Sequence, residues 1–168
     1  MILVTGAAGF IGFHLCAKLL ERGDPVVGFD NFTDYYDVQL KRDRINQIAG
    51  HKNFTFFEMD LCDREALQEL FHKQPIKRIC HLAAQVGVRY SLRDPYAYQK
   101  SNLEGFLNII ECAREHRVEN FIYASSSSIY GNTEEIPFSE KNQADTPISF
   151  YGATKRSNEL TAYTYSHL

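Results

Sequence analysis

Ile2-Leu3-Val4-Thr5-Gly6-Ala7-Ala8-Gly9-Phe10-Ile11-Gly12 opens the chain, and its reading decides the fold. Three apolar residues make a short buried strand. A glycine-punctuated turn follows, and Ile11, Leu15, Leu19 and Leu20 then recur at helical spacing. Strand, glycine turn and helix in that order describe the phosphate-binding corner of a dinucleotide site. Gly6 permits the tight turn. Gly9 lets backbone N–H groups approach a pyrophosphate, and Gly12 lets the helix pack close to the sheet. The spacing is GxxGxxG rather than GxGxxG. Glycines alone would fit a plain strand-to-helix turn; the strand before and the helix after favour the phosphate corner.

Outward from this corner the pattern alternates. Gly23-Asp24-Pro25 stops the first helix, and Val26-Val27-Gly28-Phe29 reads as a second buried strand. A polar, aromatic loop over Asn31–Asp37 leads to a helix over Leu40–Ile48. Phe54–Phe57 is strand three, and Asp63 caps a helix through Ala66, Leu67, Leu70 and Phe71. Ile76–Leu82 is strand four. A long helix is expected over Asp94–His116, burying Leu103, Phe106, Leu107, Ile110 and Ala113. Phe121–Ala124 is strand five, Gly131–Phe150 a loop, and Tyr151 begins a last helix. Strands apolar on both faces, alternating with helices, predict an α/β fold. Its core is a doubly wound parallel sheet of the Rossmann type with about five strands. Residues 1–168 read as one dinucleotide-binding domain. Such folds usually carry six or more strands, so the expectation is an incomplete C-terminus, with a substrate domain absent.

The composition restricts the function. Hydrophobic residues make up 44% and charged residues 23%, and the net charge of −3 argues against nucleic acid or an anionic membrane as partner. No apolar run reaches the ~18 residues of a membrane span, and Met1-Ile2-Leu3-Val4 lacks the form of a signal peptide. Cys16, Cys62, Cys80 and Cys112 show no paired spacing and read as reduced packing residues, which fits a cytoplasmic enzyme. The six histidines have no metal-ligand spacing, and no metal is expected. His81 reads as a buried, hydrogen-bonded side chain.

Asp30 closes strand two, with Asn31 beside it. A carboxylate there accepts hydrogen bonds from adenosine ribose hydroxyls and repels a 2′-phosphate, which favours NAD over NADP. Asp60 and Leu61, after strand three, would flank the adenine; a loop or helix-capping acid is the plainer reading. Strand four ends in His81-Leu82-Ala83-Ala84-Gln85, whose small residues Ala83 and Ala84 leave room for a passing cofactor.

Ser125 to Ser128 stand at the C-terminal end of strand five, where such sheets bind ligands. Tyr151 and Lys155, at i and i+4, share one helix face. A free phenol ionises near pH ~10, so bringing a phenolate within reach of pH 7 takes about 4 kcal/mol. A neighbouring ammonium and a positive nicotinamide could share that work. The phenolate could then take a proton from a substrate hydroxyl while hydride leaves carbon, with Ser126 orienting or relaying the proton.

TGAAGFIG (Thr5 to Gly12), the acidic end of strand two, HLAA, Asn102, SSSSIYG and YGATK (Tyr151 to Lys155) together resemble the extended short-chain dehydrogenase/reductase family of sugar-nucleotide enzymes. DNFTDYYDVQLKRDRI, QVGVRYSLRDP and YASSSSIYGNTEEIPFSE look most like its UDP-glucuronate 4-epimerases. The resemblance covers the whole chain in order. It implies Ser126, Tyr151 and Lys155 as catalytic residues. It implies an NAD site lined by Gly6, Gly9, Phe10, Ile11, Gly12, Asp30, Asn31, Asp60, Leu61, Leu82, Ala83, Ala84, Asn102, Tyr151 and Lys155. Gln85, Arg89, Ser127 and Ser128 fall on the substrate side, Arg89 as a candidate partner for a uronate carboxylate or else a solvated loop arginine. The implied reaction oxidises C4 of a UDP-sugar to a ketone and returns the hydride to the other face. A homodimer through a helix pair is implied as well. Three alternatives stand beside it: an epimerase of UDP-glucose, a 4,6-dehydratase, and an NAD-binding fragment without activity. In the resembled dehydratases an Asp-Glu pair follows the catalytic Ser or Thr, where Ser127 and Ser128 stand here.

Overall fold

The structure is a computed structural model and describes residues 1–168. The chain divides into two compact units, residues 1–83 with 111–123 and residues 84–110 with 124–168.

The first unit holds the sheet. Its strands are β1 (Ile2–Thr5), β2 (Val26–Asp30), β3 (Phe54–Glu58), β4 (Arg78–His81) and β5 (Asn120–Tyr123). All pair in parallel, in the order β3-β2-β1-β4-β5. The chain leaves β3 at one edge and re-enters beside β1, so the order reverses between β1 and β4. Ligands of open parallel sheets bind outside the strand ends at such a point. The expected five-stranded, doubly wound sheet is present.

β1 and β2 are buried at every residue, as their apolar runs require. Leu3, Val4, Val26 and Val27 are wholly buried, each contributing about 1.5–3 kcal/mol of apolar transfer. At the edges the pattern loosens: Thr55 in β3 and Asn120 and Ile122 in β5 are exposed, because an edge strand has fewer neighbours. Helix α1 (Phe10–Glu21) packs Cys16, Leu19 and Leu20 into a cluster with Ile2, Val4 and Val26. Helix α2 (Val38–Ile48) starts where the Asp37 carboxylate accepts from Gln39 N. Helix α3 (Arg64–Lys73) starts at the expected cap, with the Asp63 carboxylate accepting from Ala66 N at 3.0 Å.

The expected long helix over Asp94–His116 is built in three pieces. Asp94 caps α4 (Pro95–Tyr98), a π-helical segment follows over Gln99–Glu104, and α5 runs over Gly105–Glu115. The expected buried face holds at Phe106, Ile110 and Ala113 and is corrected at Leu107. Phe106, Ile109, Ile110 and Ala113 are buried, whereas Leu107 is 47% exposed. Helix α6 spans Phe150–Tyr165, starting where Ser149 Oγ accepts from Gly152 N at 3.0 Å. Two short 3-10 turns, Tyr90–Leu92 and Ser127–Tyr130, lie outside the elements read from the sequence.

All four cysteines are free. Burial pushes the Cys16 thiol up to about 12 and the Cys112 thiol to about 11, as befits packing residues. No helix is long and apolar enough to cross a membrane.

Candidate active site

The first unit carries the glycine corner. Gly6 has φ +69, a conformation open to glycine at little cost. A Cβ on Gly6 would also lie 2.8 Å from Ala83 N, and one on Gly12 would lie 2.1 Å from Gly6 O. The turn, the first turn of α1 and the exit of β4 are thus in backbone contact. Gly9 N donates to Gly6 O, and Phe13 N donates to Gly9 O. Gly9 offers no side-chain cap, and no acid stands in the first turn of α1. A helix start with neither cap nor acid suits an anion, since its leading N–H groups carry partial positive charge. Phe10 and Ile11, expected there, are 66% and 65% exposed. This cradle fits the pyrophosphate of a dinucleotide.

Thr5 locks the corner, and sequence reasoning missed it. Its Oγ1 accepts from Leu82 N at 3.1 Å and Ala83 N at 3.0 Å and lies 2.8 Å from His81 Nδ1. With both acceptor sites used, the hydroxyl donates its own proton to Nδ1, which leaves the ring proton on Nε2. His81 is buried and hydrogen-bonded, as expected.

Asp30 ends β2 with 8% exposure. Its Oδ1 accepts from Phe32 N at 2.9 Å and its Oδ2 from Ala8 N at 3.3 Å. Phe32 takes φ +49 to make this turn. Lys41 was also missed. Its ammonium is buried, lies 3.7 Å from Asp30 Oδ1, and donates to Thr33 O and Thr33 Oγ1 at 3.0 and 3.1 Å. The apolar flank of α2 hid a charge whose partner is set only by folding. Asn31 is exposed and donates through Nδ2 to Asp60 Oδ2 at 3.2 Å, while Asp60 Oδ1 accepts from Cys62 N at 2.8 Å. Leu61 is buried, and Leu82, Ala83 and Ala84 are half-buried.

The second unit brings Ser126, Tyr151 and Lys155 together. Tyr151 and Lys155 follow one another by a single turn of α6. Lys155 is 4% exposed, and its Nζ donates to Ala124 O at 2.9 Å. Burial pushes its ammonium from the ordinary 10.5 down to about 8. Ser126, two residues beyond that carbonyl, caps the 3-10 turn Ser127–Tyr130, its Oγ accepting from Ser128 N at 3.2 Å. That turn lies hard against α6: a Cβ on Gly152 would lie 2.5 Å from Ser128 O.

Two further residues position Tyr151. Tyr98 is wholly buried, meets the Tyr151 ring edge-on with centroids 6.1 Å apart, and its single hydroxyl proton is shared between the carbonyls of Val86 and Gly87, 2.6 and 2.5 Å away. Asn102 lies in the π segment and is 1% exposed. Its Oδ1 accepts from Gln85 N at 2.8 Å, and its Nδ2 donates to Gln85 O and Thr154 Oγ1, both at 3.1 Å. Thr154 Oγ1 donates to Tyr151 O at 2.8 Å. Asn102 is therefore a strut between the Gln85 strand exit and the Tyr151 turn. Gln85 is 9% exposed, and its Nε2 is a buried donor without a hydrogen-bond partner, so it has a proton to give to an oxygen-bearing ligand. Arg89 is exposed, and Ser127 and Ser128 are exposed and half-buried.

The family model described as GDP-mannose 4,6 dehydratase matches residues 3–168. UDP-glucuronate 4-epimerase 6 of Arabidopsis thaliana is 48% identical over 168 residues, covering 99% of this chain and 36% of its own length. The structure of UDP-glucuronic acid 4-epimerase from Bacillus cereus, with UDP-glucuronic acid and NAD, superposes with TM-score 0.89 at 36% identity, covering 98% of this chain and 51% of that one. The UDP-Glc/GlcNAc 4-epimerase of Campylobacter jejuni superposes with TM-score 0.90 at 30% identity, covering 99% of this chain and 49% of that one. The chain thus spans about half the length of these solved relatives and little over a third of the plant protein. By its family match over residues 3–168, the chain belongs to the GDP-mannose 4,6 dehydratase family, within the extended short-chain dehydrogenase/reductase enzymes.

Proposed function

We propose that this chain is the NAD-binding and proton-transferring part of a UDP-sugar 4-epimerase, with UDP-glucuronate as its substrate. The observation that carries the reading is the α6 face. Tyr151 stands one turn from a buried lysine, and that lysine is anchored two residues before Ser126. A buried ammonium favours an anion beside it, since little water screens the pair.

In this reading the glycine corner binds the pyrophosphate, and Asp30 accepts from the ribose hydroxyls. A bound NAD would supply the reversible hydride acceptor for C4 of the sugar. The Tyr151 phenolate receives the C4 hydroxyl proton and later returns it, so the phenolate is regenerated each turnover. The Ser126 hydroxyl orients the sugar oxygen. Lys155 supplies positive charge and holds the β5 exit. Gln85 Nε2 donates to a substrate oxygen, and Arg89, Ser127 and Ser128 complete the substrate side. Hydroxyls at Ser127 and Ser128 supply neither the acid nor the base that elimination of water requires, which supports epimerisation over the dehydration in the family's name.

Calorimetric titration of the chain with NAD⁺ and NADP⁺ tests the cofactor half. Binding is expected with NAD⁺ at least tenfold the tighter, and a preference for NADP⁺ would refute the role of Asp30. A panel of UDP-glucuronate, UDP-glucose and UDP-N-acetylglucosamine tests the substrate. Interconversion of UDP-glucose but not UDP-glucuronate would overturn the uronate reading and leave the epimerase standing.

A further inference from the structure

Tyr151, Lys155 and Glu159 follow one another by single turns of α6 and share one face. The proposed chemistry uses the first two and leaves Glu159 without a task. Yet Glu159 sits in a continuous polar chain. Ser125 Oγ donates to Glu159 Oε1 at 2.6 Å. Arg156 donates through NH1 to Glu159 Oε2 at 2.8 Å and through NH2 to Asp145 Oδ1 at 3.2 Å. Asp145 Oδ2 accepts from Gln143 Nε2 at 2.7 Å. The bonds from Gln143 and Arg156 hold the Asp145 carboxyl below the usual carboxylate range. The chain runs from the loop before α6, across the helix, to the residue beside Ser126.

Ser126 is bracketed by this arrangement. On its N-terminal side, Lys155 holds Ala124 O and Glu159 holds Ser125 Oγ. On its C-terminal side, Ser126 accepts from Ser128 N and from Ile129 N, and Ser128 O abuts Gly152. Two rungs of α6 therefore grip the two residues that precede the serine. Arg156 occupies the second oxygen of Glu159 and so keeps the first aimed at Ser125.

We infer that Glu159 is a positioning residue: through Ser125 it fixes the placement of Ser126 against Tyr151. The inference rests on the epimerase reading for its effect on rate, but not for its effect on the serine segment. A misplacement of about 1 Å at a reacting group is enough to lower a rate a hundredfold.

The test compares Glu159→Ala, Glu159→Gln, Ser125→Ala and the double variant Ser125→Ala/Glu159→Ala in the chain. Glutamine keeps an oxygen that accepts from Ser125 and serves as the conservative rescue. Turnover of UDP-glucuronate with NAD⁺ is expected to fall about tenfold in kcat for Glu159→Ala and for Ser125→Ala, with KM within twofold. Glu159→Gln is expected within about threefold of the parent, and the double variant no worse than either single one. Additive losses, or Gln as damaging as Ala, would overturn the inference. The second readout needs no turnover. Amide exchange at Ser128, whose N–H is held by Ser126 Oγ, is expected to quicken about tenfold in Glu159→Ala while amides of β1 stay unchanged. Unaltered exchange there overturns the inference. An inactive parent with quickened Ser128 exchange would leave the positioning role standing on the exchange readout alone.

Discussion

Lys155→Met should change how stability depends on pH, and the size of the change follows from burial. Lys155 is 4% exposed and its ammonium titrates near 8 instead of 10.5. The unfolded chain therefore binds more protons than the folded one between those two pH values, so stability rises with pH across that window. Below pH 8 the penalty is fully present; above 10.5 it is gone. A shift from 10.5 to about 8 corresponds to roughly 3 kcal/mol at pH 7 and about 2 kcal/mol at pH 9. Methionine removes the penalty but leaves Ala124 O without its donor, at a cost of about 1–3 kcal/mol. The variant should consequently be close to the parent, or up to about 2 kcal/mol more stable, at pH 7. The cleaner signature is the difference between the two chains, which should shrink by about 1 kcal/mol from pH 7 to pH 9. Taking the difference also cancels the thiols. Cys16 and Cys112 are raised by burial, so they lose stability with rising pH once the unfolded thiols ionise above 9. Urea unfolding at matched ionic strength, analysed at constant m, measures each value. A parent-minus-variant difference that stays flat from pH 7 to pH 9 would refute the buried-ammonium argument and with it the electrostatic role given to Lys155.

Other perturbations reach different parts of the molecule. Gly12→Ala drives a methyl group to 2.1 Å from Gly6 O and should destabilise the chain by about 3 kcal/mol, read as a lower urea midpoint. An unchanged midpoint would mean that α1 does not press on the turn. Lys41→Met strips the buried partner from Asp30 and should cost about 3 kcal/mol of stability in the same assay, with weaker NAD⁺ binding by calorimetry. Asp30→Asn should raise the affinity for NADP⁺ relative to NAD⁺ at least tenfold; an unchanged ratio would remove Asp30 from the ribose. Tyr151→Phe should lower epimerase turnover by about 10² to 10⁴-fold with NAD⁺ binding intact, since it deletes only the proton carrier.

Much of the site was legible in the sequence because local chemistry forces it. Gly12 has to be glycine for reasons confined to a strand, a turn and the next helix. Tyr151 and Lys155 share a face by the 3.6-residue period of a helix. Asp63 announced its cap, and the strand runs announced a parallel sheet. Some features did not show. Leu107 was expected inside and is 47% exposed, and the long helix carries an unforeseen π segment over Gln99–Glu104. Nothing in QKSNLE distinguishes that turn from an ordinary one.

By itself, then, the sequence determined the order of elements, the glycine turn between β1 and α1 and the one-turn spacing of Tyr151 and Lys155, all of which depend on near neighbours in the chain. Only the tertiary structure decided which partners distant side chains take. Thr5 became the clasp of His81, Leu82 and Ala83, and Lys41 the counter-charge of Asp30. Asn102 became a strut to Thr154 and Glu159 the grip on Ser125. Each of these is a polar group buried or half-buried far along the chain from its partner. Periodicity and propensity carry no information about such pairs, and the need to satisfy every desolvated donor and acceptor is settled only when the elements meet.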